Sequence, residues 1–250
     1  MNALLPILLL IAAATGARTA GAASVIPDDS TQLLLVTTTD WQAPGGRLQA
    51  FERVDGGWRA VRPAFTVSIG KHGSAWGLGL HPPQEGQQKR EGDGKAPAGV
   101  FELGSAFGYA PANATGLGYQ PMTESDWCVD VNDSPLYNRI VSTLEVGEAA
   151  VIGSSEPMRR DLHRDGDRVY AKGFVIAHNP NNTSGAGSCI FAHLWRAPGT
   201  PTAGCTAMPE AEMDALLAWL DQARNPVLVL LPESAYRRLQ ADWQLPERNP

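Results

Sequence analysis

Cys205 and His193 stand at the two ends of one loop. A thiol is mostly protonated at neutral pH, and its thiolate is the attacking form. A nearby imidazole can take that proton and later hand it to a leaving amine. Gly204, directly before the cysteine, has no side chain, so a substrate carbonyl can approach the backbone closely. The N–H groups of Gly204 and Cys205 could then point at a developing oxyanion. Spacing alone does not separate this reading from a buried structural cysteine that happens to lie near a histidine.

The surrounding pattern predicts how these residues are held. Cys189–Leu194 is an apolar run that reads as a buried strand ending near His193. A loop rich in Pro, Gly and Thr follows and delivers Gly204 and Cys205. Pro209 and the acidic residues after it mark a helix start, and Met213, Leu216, Leu217, Trp219 and Leu220 recur near helical spacing. A helix beginning close to Cys205 would favour the thiolate modestly. Residues 32–38 read as a strand, 47–54 and 58–69 as an antiparallel meander turning at Gly56 and Gly57, and 226–231 as a buried strand. The pattern by itself supports a mainly β fold with a few helices.

At these residues the chain resembles the L,D-transpeptidase (YkuD-type) catalytic domain family. Thr202-Ala-Gly-Cys205 fills the family's Ser/Thr-x-Gly-Cys signature, and His193 fills its upstream histidine. The stretches Gly187–Trp195 and Glu91–Phe101 are further similar to one proteobacterial branch. The likeness spans about residues 32–232, with several separated motifs in order. It implies an antiparallel, β-sandwich-like catalytic domain that acts on peptidoglycan stem peptides without a cofactor. Cys205 would attack the carbonyl of the donor's third residue and expel the fourth; an amine of a neighbouring stem would take the acyl group. His193 would be base and acid, and Gly204 part of the oxyanion site. The commoner family motif has a second histidine where this chain has Ala203, and an arginine where it has Ala207. Those departures leave the substrate's pose and the cross-link position open.

Other residues are candidates for the cleft. The irregular, charged stretch 71–99 could be its wall, and Arg90 could supply the cation absent at position 207. The segment 127–138 also resembles the family branch, which implies a place near the cleft for Tyr137 or Asn138. His178 ends a second strand and is either a satisfied strand-end histidine or a substrate contact. The cluster around Arg159, Arg160, Asp161, His163 and Arg164 reads as a surface turn or short helix. With three cysteines, an exported chain could pair Cys128 with Cys189 and keep Cys205 free.

Metal sites are the competing class. His178, Cys189, His193 and Cys205 could ligate zinc, although the spacing fits no standard pattern. Asp130, Asn132 and Asp133 lack the glycine and closing glutamate of a calcium loop. The expectation is no metal.

Composition sets the broad frame. The 250 residues carry a formal net charge of −6 and no basic run, which argues against nucleic acid as a partner. Residues 1–22 read as a secretory signal peptide with an apolar core at Leu4–Ala14, or else as an uncleaved anchor. The expectation is thus a periplasmic monomer with no membrane contact after leader removal, a catalytic domain at 32–232 and a tail at 233–250. Two other functions share these residues: a carboxypeptidase or endopeptidase that hydrolyses the same acyl-enzyme, and a catalytically silent wall-binding module.

Overall fold

A computed structural model describes residues 24–248, so the expected leader at 1–22 lies outside the described residues. The chain opens with β1 (Gln32–Thr38), where Leu33, Leu34, Leu35 and Val36 are all buried. A strand covered on both faces shows a continuous apolar run rather than alternation. β2 (Gly45–Val54) returns along β1, and β3 (Gly57–Ala60) folds back on β2 through a two-residue hairpin. Asp55 and Gly56 form its corner at φ 51° and 81°, the left-handed backbone such tight hairpins require.

There follow β4 (Phe65–Ser68), β5 (Ser74–Trp76), the long β6 (Ala96–Gly108) and β7 (Tyr119–Pro121). A separate small sheet takes β8 (Asp126–Cys128), β9 (Ile140–Ser142) and β10 (Glu156–Pro157), in the order β10-β8-β9. Short helices α1 (Thr143–Val146) and α2 (Arg160–His163) belong to the same region. The chain then returns through β11 (Lys172–Ile176), β12 (Phe191–Leu194) and β13 (Thr206–Met208). Helix α3 (Glu210–Trp219), β14 (Val227–Pro232) and α4 (Glu233–Leu239) complete it.

The strand order corrects the expected sandwich. The main sheet runs β1-β14-β6-β11-β12-β13-β4-β2, and β2 pairs again with β1. Eight strands therefore close into a barrel. A sandwich would leave free sheet edges; here β1 has β14 on one side and β2 on the other. Nor is the sheet purely antiparallel, because β1–β14 and β12–β13 are parallel pairs. Inward and outward residues alternate identically in a sandwich and a barrel, so the pattern could not reveal closure.

Two apolar clusters result. The larger takes apolar residues from both faces of the main sheet and includes Ala192, Leu194, Met208, the α3 residues Met213, Leu216 and Leu217, and the tail residues Tyr236, Leu239, Trp243 and Leu245. The segment after residue 232 is thus built into the main core. The smaller cluster is separate and gathers Phe107, Cys128, Tyr170, Cys189, Phe191 and Cys205.

Candidate active site

Strand parity decides which side the chemistry faces. In β12, Ala192 and Leu194 join the larger apolar cluster, and strand alternation turns Phe191 and His193 to the opposite face. In the parallel partner β13, Met208 joins the same cluster and Ala207 lies opposite His193 in register. Cys205, just before β13, comes out on the same face, and His193, Ala207 and Cys205 line one cleft.

Thr202 shapes the loop that presents the cysteine. Its hydroxyl accepts the Gly204 N–H at 3.1 Å and donates to the Cys205 carbonyl at 2.6 Å. Its backbone joins the loop to the end of β4, with Thr202 N–H to the Ile69 carbonyl at 2.9 Å and Lys71 N–H to the Thr202 carbonyl at 2.8 Å. Space at Gly204 is tight: a Cβ there would stand 3.0 Å from the Lys95 carbonyl oxygen.

Cys205 Sγ accepts the Phe191 N–H at 3.3 Å and directs its own proton toward the Cys189 carbonyl at 3.5 Å. Burial pushes its pKa up to about 12, and the charge of Glu156 adds to this; the Phe191 N–H, Lys89 and Arg160 oppose it. The expected helix assistance is absent in this geometry, because β13 separates Cys205 from α3. His193 Nδ1 lies 2.7 Å from the Leu194 carbonyl, which fixes the proton on Nδ1 and leaves Nε2 as an acceptor. Burial lowers the imidazole's pKa to about 4, opposed by that carbonyl and assisted by Arg160 and Arg196. The resting pair is therefore a neutral thiol and a neutral imidazole.

A network of charges backs the pair. The Tyr170 ring meets the His193 ring edge to face at 5.2 Å, and its hydroxyl donates to Glu156 Oε2 at 2.7 Å. Arg160 reaches Glu156 at 3.2 Å and Asp167 at 3.0 Å, and Arg196 also pairs with Asp167. Arg160 and Arg196 line the cleft beside Ala207, so two guanidinium groups border the place where position 207 carries none. A second cleft meets the first at Cys205 and is bordered by Lys71, Lys89, Glu91, Asp130, Glu156 and Gly204.

The structure brings Cys205, His193 and Gly204 together and sets the other candidates apart. Arg90 is exposed and borders neither cleft; its neighbour Lys89 points inward, with a side chain only 3% exposed and bonded to Asp93 at 2.6 Å. His178 is buried away from both clefts, with Nδ1 accepting from Leu78 N–H at 3.2 Å and Nε2 against the Ala186 carbonyl at 2.9 Å. Tyr137 donates to Glu91 and accepts from Gly187 N–H. Asn138 bonds the carbonyls of His178 and Asn179 and accepts from Cys189 N–H at 2.9 Å. These three brace the 178–189 segment that leads into β12. Cys128 and Cys189 are joined by a disulfide, so Cys189 has no thiolate to offer zinc. The sequence pattern does not mark Glu156 or Tyr170 as site residues, and it reads Arg160 as part of a surface turn or short helix; only their place around one cleft with Cys205 marks them.

The site thus holds a buried thiol at the meeting of two clefts and a neutral imidazole that lines one of them. Residues 47–229 match the L,D-transpeptidase catalytic domain (YkuD), and the chain belongs to that family of peptidoglycan enzymes. Among solved structures it is similar to the helical cell shape determining protein Pgp2 from Campylobacter jejuni, at 16% identity and a TM-score of 0.36 over 81% of this chain. The K307A mutant of Pgp2 gives 17% identity and a TM-score of 0.37 over 82% of this chain. The chain spans about half of those structures, 48% of each. No curated protein gives a significant match. Among the described residues, no helix is long and apolar enough to cross a membrane.

Proposed function

We propose that this chain is an exported L,D-transpeptidase that cross-links peptidoglycan stem peptides through an acyl-enzyme at Cys205. The observation that carries the reading is that Cys205 and His193 line one cleft, with Cys205 presented by a loop that the signature residue Thr202 holds. Because thiol and imidazole are both neutral, sulfur attacks the donor carbonyl as its proton passes to His193 Nε2. The Gly204 N–H is already taken by Thr202. The Cys205 N–H, for which no hydrogen bond is found among the described residues, is the loop's donor to the oxyanion. His193 then protonates the departing amine, and the thioester remains for an acceptor amine.

The test is incubation of the mature chain and of Cys205→Ala with purified sacculi, followed by mass analysis of released muropeptides. New dimers that require Cys205 are expected, and fragmentation names the linked positions. Shortened monomers without dimers would mean hydrolysis. A folded wild type that changes nothing would favour a silent wall-binding module.

A further inference from the structure

Glu156 borders both clefts that meet at Cys205. Its position is fixed from behind: β10 pairs Glu156 with Cys128, and Cys128 is bonded to Cys189 just ahead of β12. Its two carboxylate oxygens are used unequally. Oε2 accepts from Tyr170 and Arg160, whereas no donor reaches Oε1 among the described residues. The side chain is 21% exposed, so it remains open to the clefts. Arg160 does not neutralise it fully, because that guanidinium is shared with Asp167.

Proton accounting gives such a carboxylate a task. An acceptor amine arrives as an ammonium and must lose two protons to become an amide nitrogen. His193 is neutral once the first leaving group has gone, and it can return only one of them to the Cys205 sulfur. The other needs a separate acceptor.

We propose that Glu156 Oε1 binds the acceptor's ammonium and takes its first proton, making Glu156 a catalytic residue of the transfer step. The inference rests on the acyl-transfer reading of the site. The ammonium gives one proton to the Glu156 carboxylate, and the freed lone pair forms the C–N bond. The C–S bond breaks, and a second amine proton passes through His193 to the thiolate. Amide, thiol and protonated Glu156 result, and Glu156 then releases its proton to water. Hydrolysis needs only the His193 route, since water gives up one proton in the same step. Burial and Asp130 raise the Glu156 pKa while Tyr170, Arg160 and Arg164 lower it; the net shift is upward, which suits a proton acceptor.

Glu156→Gln separates this role from a structural one, because the amide oxygen still accepts from Tyr170 and Arg160. The probes are a synthetic tetrapeptide stem as donor and a tripeptide stem bearing a primary amine as acceptor. Expected in the variant are Cys205 acylation, by intact mass, at no less than about a third of the wild-type rate, and transfer to the amine slowed at least about tenfold at neutral pH while hydrolysis changes no more than about threefold. Transfer should recover as pH approaches the amine's own pKa. Equal losses in transfer and hydrolysis, or an unchanged ratio, would overturn the proposal. If the variant does not fold, the wild-type ratio of transfer to hydrolysis decides: a plateau well below the amine's pKa supports Glu156, and a climb up to that pKa overturns it. A wild type that acylates but never transfers overturns this proposal alone. A folded wild type that never acylates overturns the acyl-transfer reading as well.

Discussion

The Thr202 hydroxyl donates to the Cys205 carbonyl at 2.6 Å, so the signature threonine holds the backbone of the cysteine it precedes. The same oxygen accepts the Gly204 N–H, which makes one side chain the keystone of the turn. Thr202→Ala should lose both bonds, lowering stability by about 1–2 kcal/mol. It should slow Cys205 acylation by about tenfold to a hundredfold, because the loop no longer fixes the sulfur. Thr202→Ser keeps the hydroxyl and should stay near wild type. Urea unfolding and single-turnover acylation measure the two effects; an Ala variant with normal acylation would refute the keystone role.

Much of this loop was legible because its parts are local in sequence. His193, Gly204 and Cys205 lie on one strand–loop–strand unit, and the apolar run before His193 announces the first strand. Glu156, Arg160 and Tyr170 were not legible as site residues, since their roles arise from a small sheet docked from elsewhere in the chain. Arg90 and Lys89 show a second limit. They are adjacent basic residues, and which one turns inward depends on a backbone path that composition does not encode. Barrel closure was hidden for a related reason: β1 contacts β14 across nearly the whole chain, and no local pattern reports that pairing.

The disulfide makes a prediction that runs against ordinary thiol-enzyme behaviour. Cys128 and Cys189 are 61 residues apart, and closing a loop of that size restricts the unfolded chain by about 4 kcal/mol in the chain-entropy view. It also ties the Glu156-bearing sheet to the segment whose carbonyl faces the Cys205 thiol. Blocking thiols before reduction should label Cys205 alone, and after reduction all three cysteines. Cys128→Ser with Cys189→Ser should lower the melting temperature and slow acylation, and dithiothreitol should inactivate the wild type rather than protect it. Three labelled thiols in the unreduced protein would contradict this arrangement.

The neutral thiol–imidazole pair has its own kinetic signature. With Cys205 pushed up to about 12 and His193 lowered to about 4, little thiolate exists between those limits. Alkylation of Cys205 by iodoacetamide should be slow at neutral pH and rise about tenfold per pH unit in the alkaline range. Glu156→Gln removes a negative charge that raises the thiol's pKa, so its profile should move to lower pH. A flat, fast plateau between about pH 5 and 8 would instead mean a preformed thiolate–imidazolium pair.

His178 offers a stability test independent of the chemistry. Burial lowers both His178 and His193 to about 4, below the ordinary histidine value of 6.5. Between those values the unfolded chain binds protons that the folded chain refuses. Stability therefore falls as pH drops from about 6.5 toward about 4, and the histidine contribution levels off below that. Each histidine adds a slope of at most about 1.4 kcal/mol per pH unit within the window. Raised carboxyls such as Glu156 work in the opposite sense, so the informative quantity is the difference between two proteins. His178→Gln can still accept from the Leu78 N–H and donate to the Ala186 carbonyl, yet it does not titrate. Urea unfolding across this window should show the variant's pH slope shallower by about one proton, with Cys205 acylation at neutral pH close to wild type. Equal slopes in the two proteins would show that His178 is protonated in the fold, and its bond to the Ala186 carbonyl would then have to be one of two donated bonds.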